Sequence, residues 1–469
     1  MLKPFADAHS IYHVIEPALR APSVYNTQPW SFRIVADDRI ELRANVGDGD
    51  DPSCGRWDLL LHSPAPGPWP REYAISCGAA LMNLRLAFRA LGHDPVITLV
   101  PDPAGDPGLL ASVEIVVARA HKPGALEEEL YDAIWERHTD RWPFSDTPVQ
   151  PGILVEMERA AAREHGWLRI LHGTFARRWL NLAAHADAAI AAARDGMDRD
   201  GMDRDSMDRD SRYSGAQDGF GRVGTIPGAD GDVAGADPGT YDALLSQFRD
   251  ELAQLTGDPG SGSGIPPAAF GPHPAKGNPP VRDFTLGGTE PAGAEPAVAQ
   301  RGGIPSADGP RERFERHPQL MMLFTNRDEP SDWLRAGQAL QRALLTATTL
   351  GASTSFLTQP LELADLAFRY DPQYGHLRRP AGLTGHAGLS VHRRLDASQR
   401  NSSSPVDRRG YVRRHLLGAT PWLEVPQMVI RVGYPMNQAG KDLRTPRQEP
   451  DITDARSDPP LRVAWPPAG

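Results

Sequence analysis

Two long helical segments, far apart in the chain, constrain the fold more than any other feature of the sequence. Residues 71–91 read REYAISCGAALMNLRLAFRAL, and residues 332–350 read DWLRAGQALQRALLTATTL. Both are apolar nearly all round, so both are expected to be buried rather than to turn one face to water. Each is followed by a glycine, Gly92 and Gly351, in the position where a helix stops. The segments align without a gap. The differences 337 − 78 and 351 − 92 both give 259, and Ala80/Ala339, Leu81/Leu340, Leu86/Leu345 and Leu91/Leu350 coincide between those glycines. A constant spacing of this kind suggests two copies of one unit.

The flanking patterns are mixed helix and strand. Residues 9–20 carry an amphipathic helical pattern (Ile11, Val14, Ile15, Ala18, Leu19), and residues 31–43 read as a hairpin turning at Asp37-Asp38. Strand patterns recur at 96–100, 113–117, 167–171 (WLRIL), 318–325 (PQLMMLFT) and 426–434 (PQMVIRVGY). Pro148 and Pro151 precede the periodic residues Ile153, Leu154, Met157 and Ala161, as near a helix start, and a further helix is expected over 175–194. The 45 glycines and 45 prolines require long loops. One is placed at 44–70, and others at 256–311 and 394–410. The tandem repeat GMDRDGMDRDSMDRDSR has no apolar face and reads as a water-exposed low-complexity expansion, with a short helix expected at 241–255. These patterns predict an α+β protein of two tandem units. One spans residues 1–125, and the other 126–195 with 313–450. Residues 196–312 form an insertion, and a tail over 451–469 leaves the core.

Several function classes are excluded on composition. The net charge of −10, with no basic stripe, argues against nucleic acid as a partner. No apolar run reaches membrane-spanning length, and the opening MLKPFADAHS has no hydrophobic signal segment, so a cytoplasmic location is expected. Cys54 and Cys77 form no disulfide framework or zinc set. His9 and His13 share a helical face but lack a third ligand, so no metal site is expected.

Two short stretches carry the chemistry. The first is Ala21-Pro22-Ser23-Val24-Tyr25-Asn26-Thr27-Gln28-Pro29-Trp30, a helix-to-strand connection fixed by its prolines. It presents a hydroxyl and two side-chain amides from one arc, which suits a flat heterocycle with alternating donors and acceptors. The same residues also make a rigid corner. The second is Arg137-His138-Thr139-Asp140-Arg141-Trp142-Pro143-Phe144. In an extended segment Arg137, Thr139 and Arg141 share one side, so two guanidinium forks would flank a hydroxyl. That suits a phosphate dianion. Surface ion pairs to Asp140 or Glu136 are the alternative.

The sequence APSVYNTQPW resembles the flavin-ring loop of the nitroreductase-fold family, and the wider pattern resembles its two-lobed, Acg-like branch. RHTDR is similar to the R-x-S-x-R opening of that family, with threonine for serine. The resemblance covers roughly residues 9–175 and 318–450. It implies an FMN whose ring meets Pro22, Ser23 and Asn26, with Gln28 and Trp30 supporting the loop. Arg137 and Thr139, with His138 between them, would hold the phosphate, and Arg141 would face N1 and the C2 carbonyl. Arg444 and Arg447 would close the phosphate site. The backbone of Ser355, Phe356 and Leu357 would approach N5. The first unit has the ring loop but no R-x-[ST]-x-R, and the second has that motif but no ring loop. One FMN per chain, held between two lobes of a pseudo-dimeric monomer, is therefore implied, with 256–312 as the candidate lid. NAD(P)H would be the electron donor and a nitro or quinone-like small molecule the acceptor, with chemistry carried by the flavin rather than by an acid/base pair. The competing expectation is an FMN-storing protein whose lid keeps both substrates out.

Overall fold

The structure is a computed structural model that describes residues 5, 8–44, 71–106, 108–180, 182–183, 265, 281–283, 311–362, 424–436 and 445–465. The architecture is α+β. Helix α1 (Ala8–Leu19) leads through the proline-bracketed connection into a hairpin, β1 (Trp30–Ala36) and β2 (Arg39–Ala44). Helix α2 (Arg71–Ala90) and strands β3 (His93–Leu99) and β4 (Leu109–Ala120) follow. Then come α3 (Ala125–Glu136), α4 (Pro151–Ala162) and β5 (Trp167–Leu171). Short β6 (Val281–Asp283) and β7 (Arg311–Arg313) pair with each other. After them run β8 (Gln319–Thr325), α5 (Pro330–Thr349), β9 (Ser353–Phe356), β10 (Val425–Gly433), β11 (Asp451–Asp454) and β12 (Leu461–Arg462).

The strands form one sheet of order β12-β11-β1-β2-β4-β3 and a second of order β5-β8-β10-β9. β1 alternates buried and half-buried residues along Trp30–Ile34, as expected when one face of an antiparallel sheet meets the core. By contrast β8 and β10 are buried almost continuously. Both faces of the second sheet are covered: Met321, Leu323 and Ile430 face α4 and α5, while Met322, Phe324 and Val429 pack on Trp179 and Leu180. That double cover explains the uninterrupted apolar runs in their sequences.

Helices α2 and α5 make the most extensive helix–helix contact in the molecule. They cross at the two glycines aligned above. A Cβ on Gly337 would lie 2.7 Å from Gly78 Cα and 2.8 Å from Ala79 N, so the backbones can approach this closely only because neither residue has a side chain. Both helices end at a left-handed glycine, Gly92 (φ 86°) and Gly351 (φ 77°). Farther along the crossing, Gln341 Nε2 donates to Asn83 Oδ1 at 2.8 Å, and Glu164 pairs with Arg85 from α2 and Arg342 from α5.

One expectation is corrected. The tail does not leave the core: β11 pairs in parallel with β1, from Ser31↔Asp451 to Ile34↔Asp454, and Ile452 is fully buried in the first core. Ile452 is the single apolar residue of DITD, so the sequence gives no periodic signal there, and the open edge of β1 supplies the partner. The chain crosses back past the connection after α1, which is what builds the site below. The expected helix over 175–194 is helical at 173–180 and 182–183. The rest of it lies outside the described residues, as do Cys54, the tandem repeat, the 241–255 helix, and the loops placed at 45–70 and 394–410. Of the candidate lid, only residues 265, 281–283, 311 and 312 are described. Among the described residues no helix is long and apolar enough to cross a membrane.

Candidate functional site

The connection after α1 is held in an unusual backbone state. Tyr25, Asn26 and Gln28 have φ of 44°, 61° and 50°, left-handed values that non-glycine residues adopt only when their surroundings enforce them. The enforcing bonds are local and long-range. Ser23 Oγ accepts from Gln28 N at 3.0 Å, and Ser76 Oγ on α2 accepts from Val24 N at 3.1 Å. The returning C-terminal segment supplies the rest. Asn26 Nδ2 donates to Pro446 O at 3.0 Å, Arg447 Nη1 donates to Asn26 Oδ1 at 2.8 Å, and Gln448 N donates to Gln28 Oε1 at 3.0 Å. Both side-chain amides that the sequence offered to a heterocycle thus tie the loop to residues 446–448.

Residues 137–145 are fixed from the other side. Asp140 N donates to Thr354 O at 2.9 Å, and Thr139 bridges to Thr354 in parallel, which docks the stretch on the edge of β9. Arg431, a charged residue in the middle of the apolar strand β10, is fully buried against Glu315 at 2.6 Å. Its guanidinium lies 4.0 Å from the ring centre of Phe144 and 4.9 Å from that of Phe314, and its Nη2 donates to Trp142 O at 2.8 Å. Glu315 Oε2 also accepts from Phe144 N at 3.0 Å.

The two stretches meet. One cleft is lined by Pro22, Ser23 and Asn26 from the first, by Arg137, His138, Thr139 and Arg141 from the second, and by Thr445 and Arg447 from the crossover. Arg20, Ile134 and Trp135 are also in the wall, and among the described residues no aspartate or glutamate lines it. Burial pulls the Arg447 guanidinium down to about 10, with the charge of Arg20 adding to the effect. Arg141 is likewise pulled down to about 10, by burial first and then by the charge of Arg282. Arg447 Nε is buried with no hydrogen-bond partner among the described residues.

Gln28 stands behind the loop rather than in the cleft wall. Ser355, Phe356 and Leu357 are not in the wall either. Leu357 N donates to Val429 O at 3.0 Å inside the sheet. Alternation along an edge strand then turns only the Phe356 amide outward, on the side where Thr354 O and Phe356 O already accept bonds. Leu357 therefore cannot offer its amide to a ligand. Arg444 lies outside the described residues. Sequence reasoning missed Arg20, Trp135 and the Arg431–Glu315 anchor. A lone arginine within the apolar run PQMVIRVGY was the available signal for the last, since an unpaired charge is not tolerated there.

No protein-family model matches the chain. It is similar to "Putative NAD(P)H nitroreductase Rv3131" of Mycobacterium tuberculosis, with 27% identity over 361 residues that span 77% of this chain and 79% of that protein. A second relative in that organism, "Putative NAD(P)H nitroreductase acg", is 32% identical over 142 residues, 29% of this chain and 37% of its own. A third, "Uncharacterized protein Rv3127", is 36% identical over 134 residues, 28% of this chain and 34% of its own. These likenesses support a nitroreductase family assignment, with an Acg protein among the relatives.

Proposed function

We propose that this chain is an FMN-binding, nitroreductase-like oxidoreductase that takes electrons from NAD(P)H and passes them to a nitro or quinone-like acceptor. One observation carries the reading. The loop of Pro22, Ser23 and Asn26 and the arginine fork of Arg137 and Arg141, more than a hundred residues apart in sequence, line one cleft that is rich in cations and, among the described residues, without carboxylates. Such a wall fits a phosphate at one end and a developing negative charge at the other.

In this reading Arg137, Thr139 and Arg447 grip the phosphate, and His138 borders it. Pro22, Ser23 and Asn26 set the plane of the ring. Arg141 stands where negative charge collects, and the outward Phe356 amide orients the hydride-accepting edge. FMN, when bound, supplies hydride transfer in two half-reactions of a ping-pong cycle. The protons can come from water. The contact of Gly78 with Gly337, at matching places in two aligned helices, supports a pseudo-dimeric monomer in which each half contributes one part of the site. The family likeness supports the nitroreductase-like chemistry.

A second reading, FMN storage under a lid, rests on a separate contact. Arg282, within the 256–312 insertion, donates to Phe356 O at 3.3 Å, and its charge reaches Arg141. Anaerobic mixing of the yellow holoprotein with NADPH separates the two. Bleaching within seconds is the expected result, while lasting colour favours storage. A colourless protein that takes up no added FMN overturns both.

A further inference from the structure

We infer that Glu362 is a positioning residue for the flavin: through the Tyr25 hydroxyl it fixes the ring loop relative to the outward amide of Phe356. The inference rests on the FMN reading, and it gives a role to two residues that stand outside the cleft wall. Tyr25 lies between Ser23 and Asn26, which both line the cleft, yet it is not itself in the wall. Its hydroxyl donates instead to Glu362 Oε2 at 2.5 Å, across 337 positions of sequence. Its backbone is left-handed (φ 44°, ψ 24°), a state that a bulky residue keeps only when its contacts outweigh the cost.

The two ends of this bond are mounted on different sheets. The bonds of Val24, Asn26 and Gln28 run to Ser76 on α2 and to residues 446–448, which lead into β11 of the first sheet. Glu362 belongs to the second sheet. It closes a helical turn after β9, where Leu361 N and Glu362 N donate to Thr358 O at 2.8 and 3.3 Å. Leu361 is fully buried in one cluster with Leu357, Trp179 and Val429. Leu357 is pinned twice, its N donating to Val429 O and its carbonyl accepting from Trp179 Nε1, each at 3.0 Å. The short run from Phe356 to Glu362 therefore has little freedom.

Helix α2 completes the junction. Ser76 Oγ accepts from Val24 N and donates to Glu72 O at 2.7 Å. Glu72 and Arg71 are in turn the charged neighbours of the Glu362 carboxyl, which also takes a hydrogen bond from Thr358. Pro22, Ser23 and Asn26 belong to one of the segments that the Tyr25–Glu362 bond joins, and Phe356 to the other. Losing the bond lets one ring contact drift relative to the other, and small misplacements of a bound ring cost both affinity and rate.

The test is a double-mutant cycle on full-length protein. Tyr25→Phe, Glu362→Leu and the double variant are read by FMN fluorescence quenching, the visible spectrum of bound flavin and the rate of anaerobic bleaching by NADPH. Each single variant should weaken FMN roughly threefold to tenfold, shift the flavin band and slow bleaching. The double variant should bind no worse than the weaker single one, since the same bond is lost once. Glu362→Gln, whose amide oxygen still accepts from Tyr25, should stay within about twofold of wild type. Losses that multiply in the double variant overturn the role. Tyr25→Phe removes one oxygen atom and keeps the ring, so it stays measurable even if Glu362→Leu does not fold. Unchanged affinity, spectrum and bleaching in Tyr25→Phe leave the bond purely structural and also overturn the role, while the FMN reading stands. A wild type that takes up no FMN overturns that reading and the role together.

Discussion

Two groups of arginines in this molecule differ in their setting. Where α2 and α5 cross, Arg85 and Arg342 share the buried carboxylate of Glu164, and in β10 the buried Arg431 has Glu315 at 2.6 Å. In the cleft, Arg137, Arg141 and Arg447 line a wall that, among the described residues, contains no carboxylate. The first group is closed: its charges are balanced by the protein, and its function is to hold elements together. The second is open in the sense that it lines a cleft an anion can enter. A buried arginine thus reads as structural when it is locked to a carboxylate between packed elements, and as a candidate binding group when it lines a cleft.

The largest expected effect strikes the closed group. Glu164→Gln leaves two buried guanidinium groups facing each other and should cost about 3–5 kcal/mol in chemical denaturation. Arg137→Gln, in the cleft group, should cost about 1 kcal/mol or less while lowering FMN affinity. Equal losses in the two variants would break the distinction. The helix crossing gives the next effect. Gly337→Ala forces a methyl group against Gly78 Cα and the Ile75 carbonyl, and should cost about 1–3 kcal/mol, with Gly78→Ala costing a similar amount. A similar cost at both glycines sharpens the case for two matched halves, and a large difference between them removes it.

The closed features were largely legible in the sequence, and the open ones only in part. The alignment of Gly78 with Gly337 was read as a sign of two copies of one unit, and the structure adds that the two glycines meet, where close backbone approach leaves a fixed requirement on residue type. WLRIL was read as a strand with the bounds the structure gives, Trp167–Leu171. The cleft motifs were visible as patterns, but not the partners of their side chains. Asn26 and Gln28 bond to residues 446–448, some 420 positions away, and nothing local announces that. Ile452 escaped because one apolar residue has no period. Arg20 escaped because an arginine at a helix end reads first as a helix-dipole partner.

The smallest expected effect lies where the two regions touch. Tyr25, at φ 44° in the cleft loop, donates to Glu362 Oε2 at 2.5 Å. Burial pushes the Glu362 carboxyl up to about 7, and the nearby charge of Glu72 adds to this. Hydrogen bonds from Tyr25 and Thr358, and the charge of Arg71 on α2, oppose it without cancelling it. The folded protein therefore holds this proton more tightly than the unfolded chain, whose carboxyl titrates near the ordinary value of 4.5. The resulting stability is complete below that value and is lost as pH rises through about 7. Denaturation midpoints should fall between about pH 5 and about pH 8, and Glu362→Gln, which still accepts from Tyr25, should flatten that component. The change should be smaller than that of Glu164→Gln, because the glutamine keeps the hydrogen bond and removes only the titration. A slope that survives the substitution intact assigns the proton to another group and leaves the loop as insensitive to pH as the helix crossing.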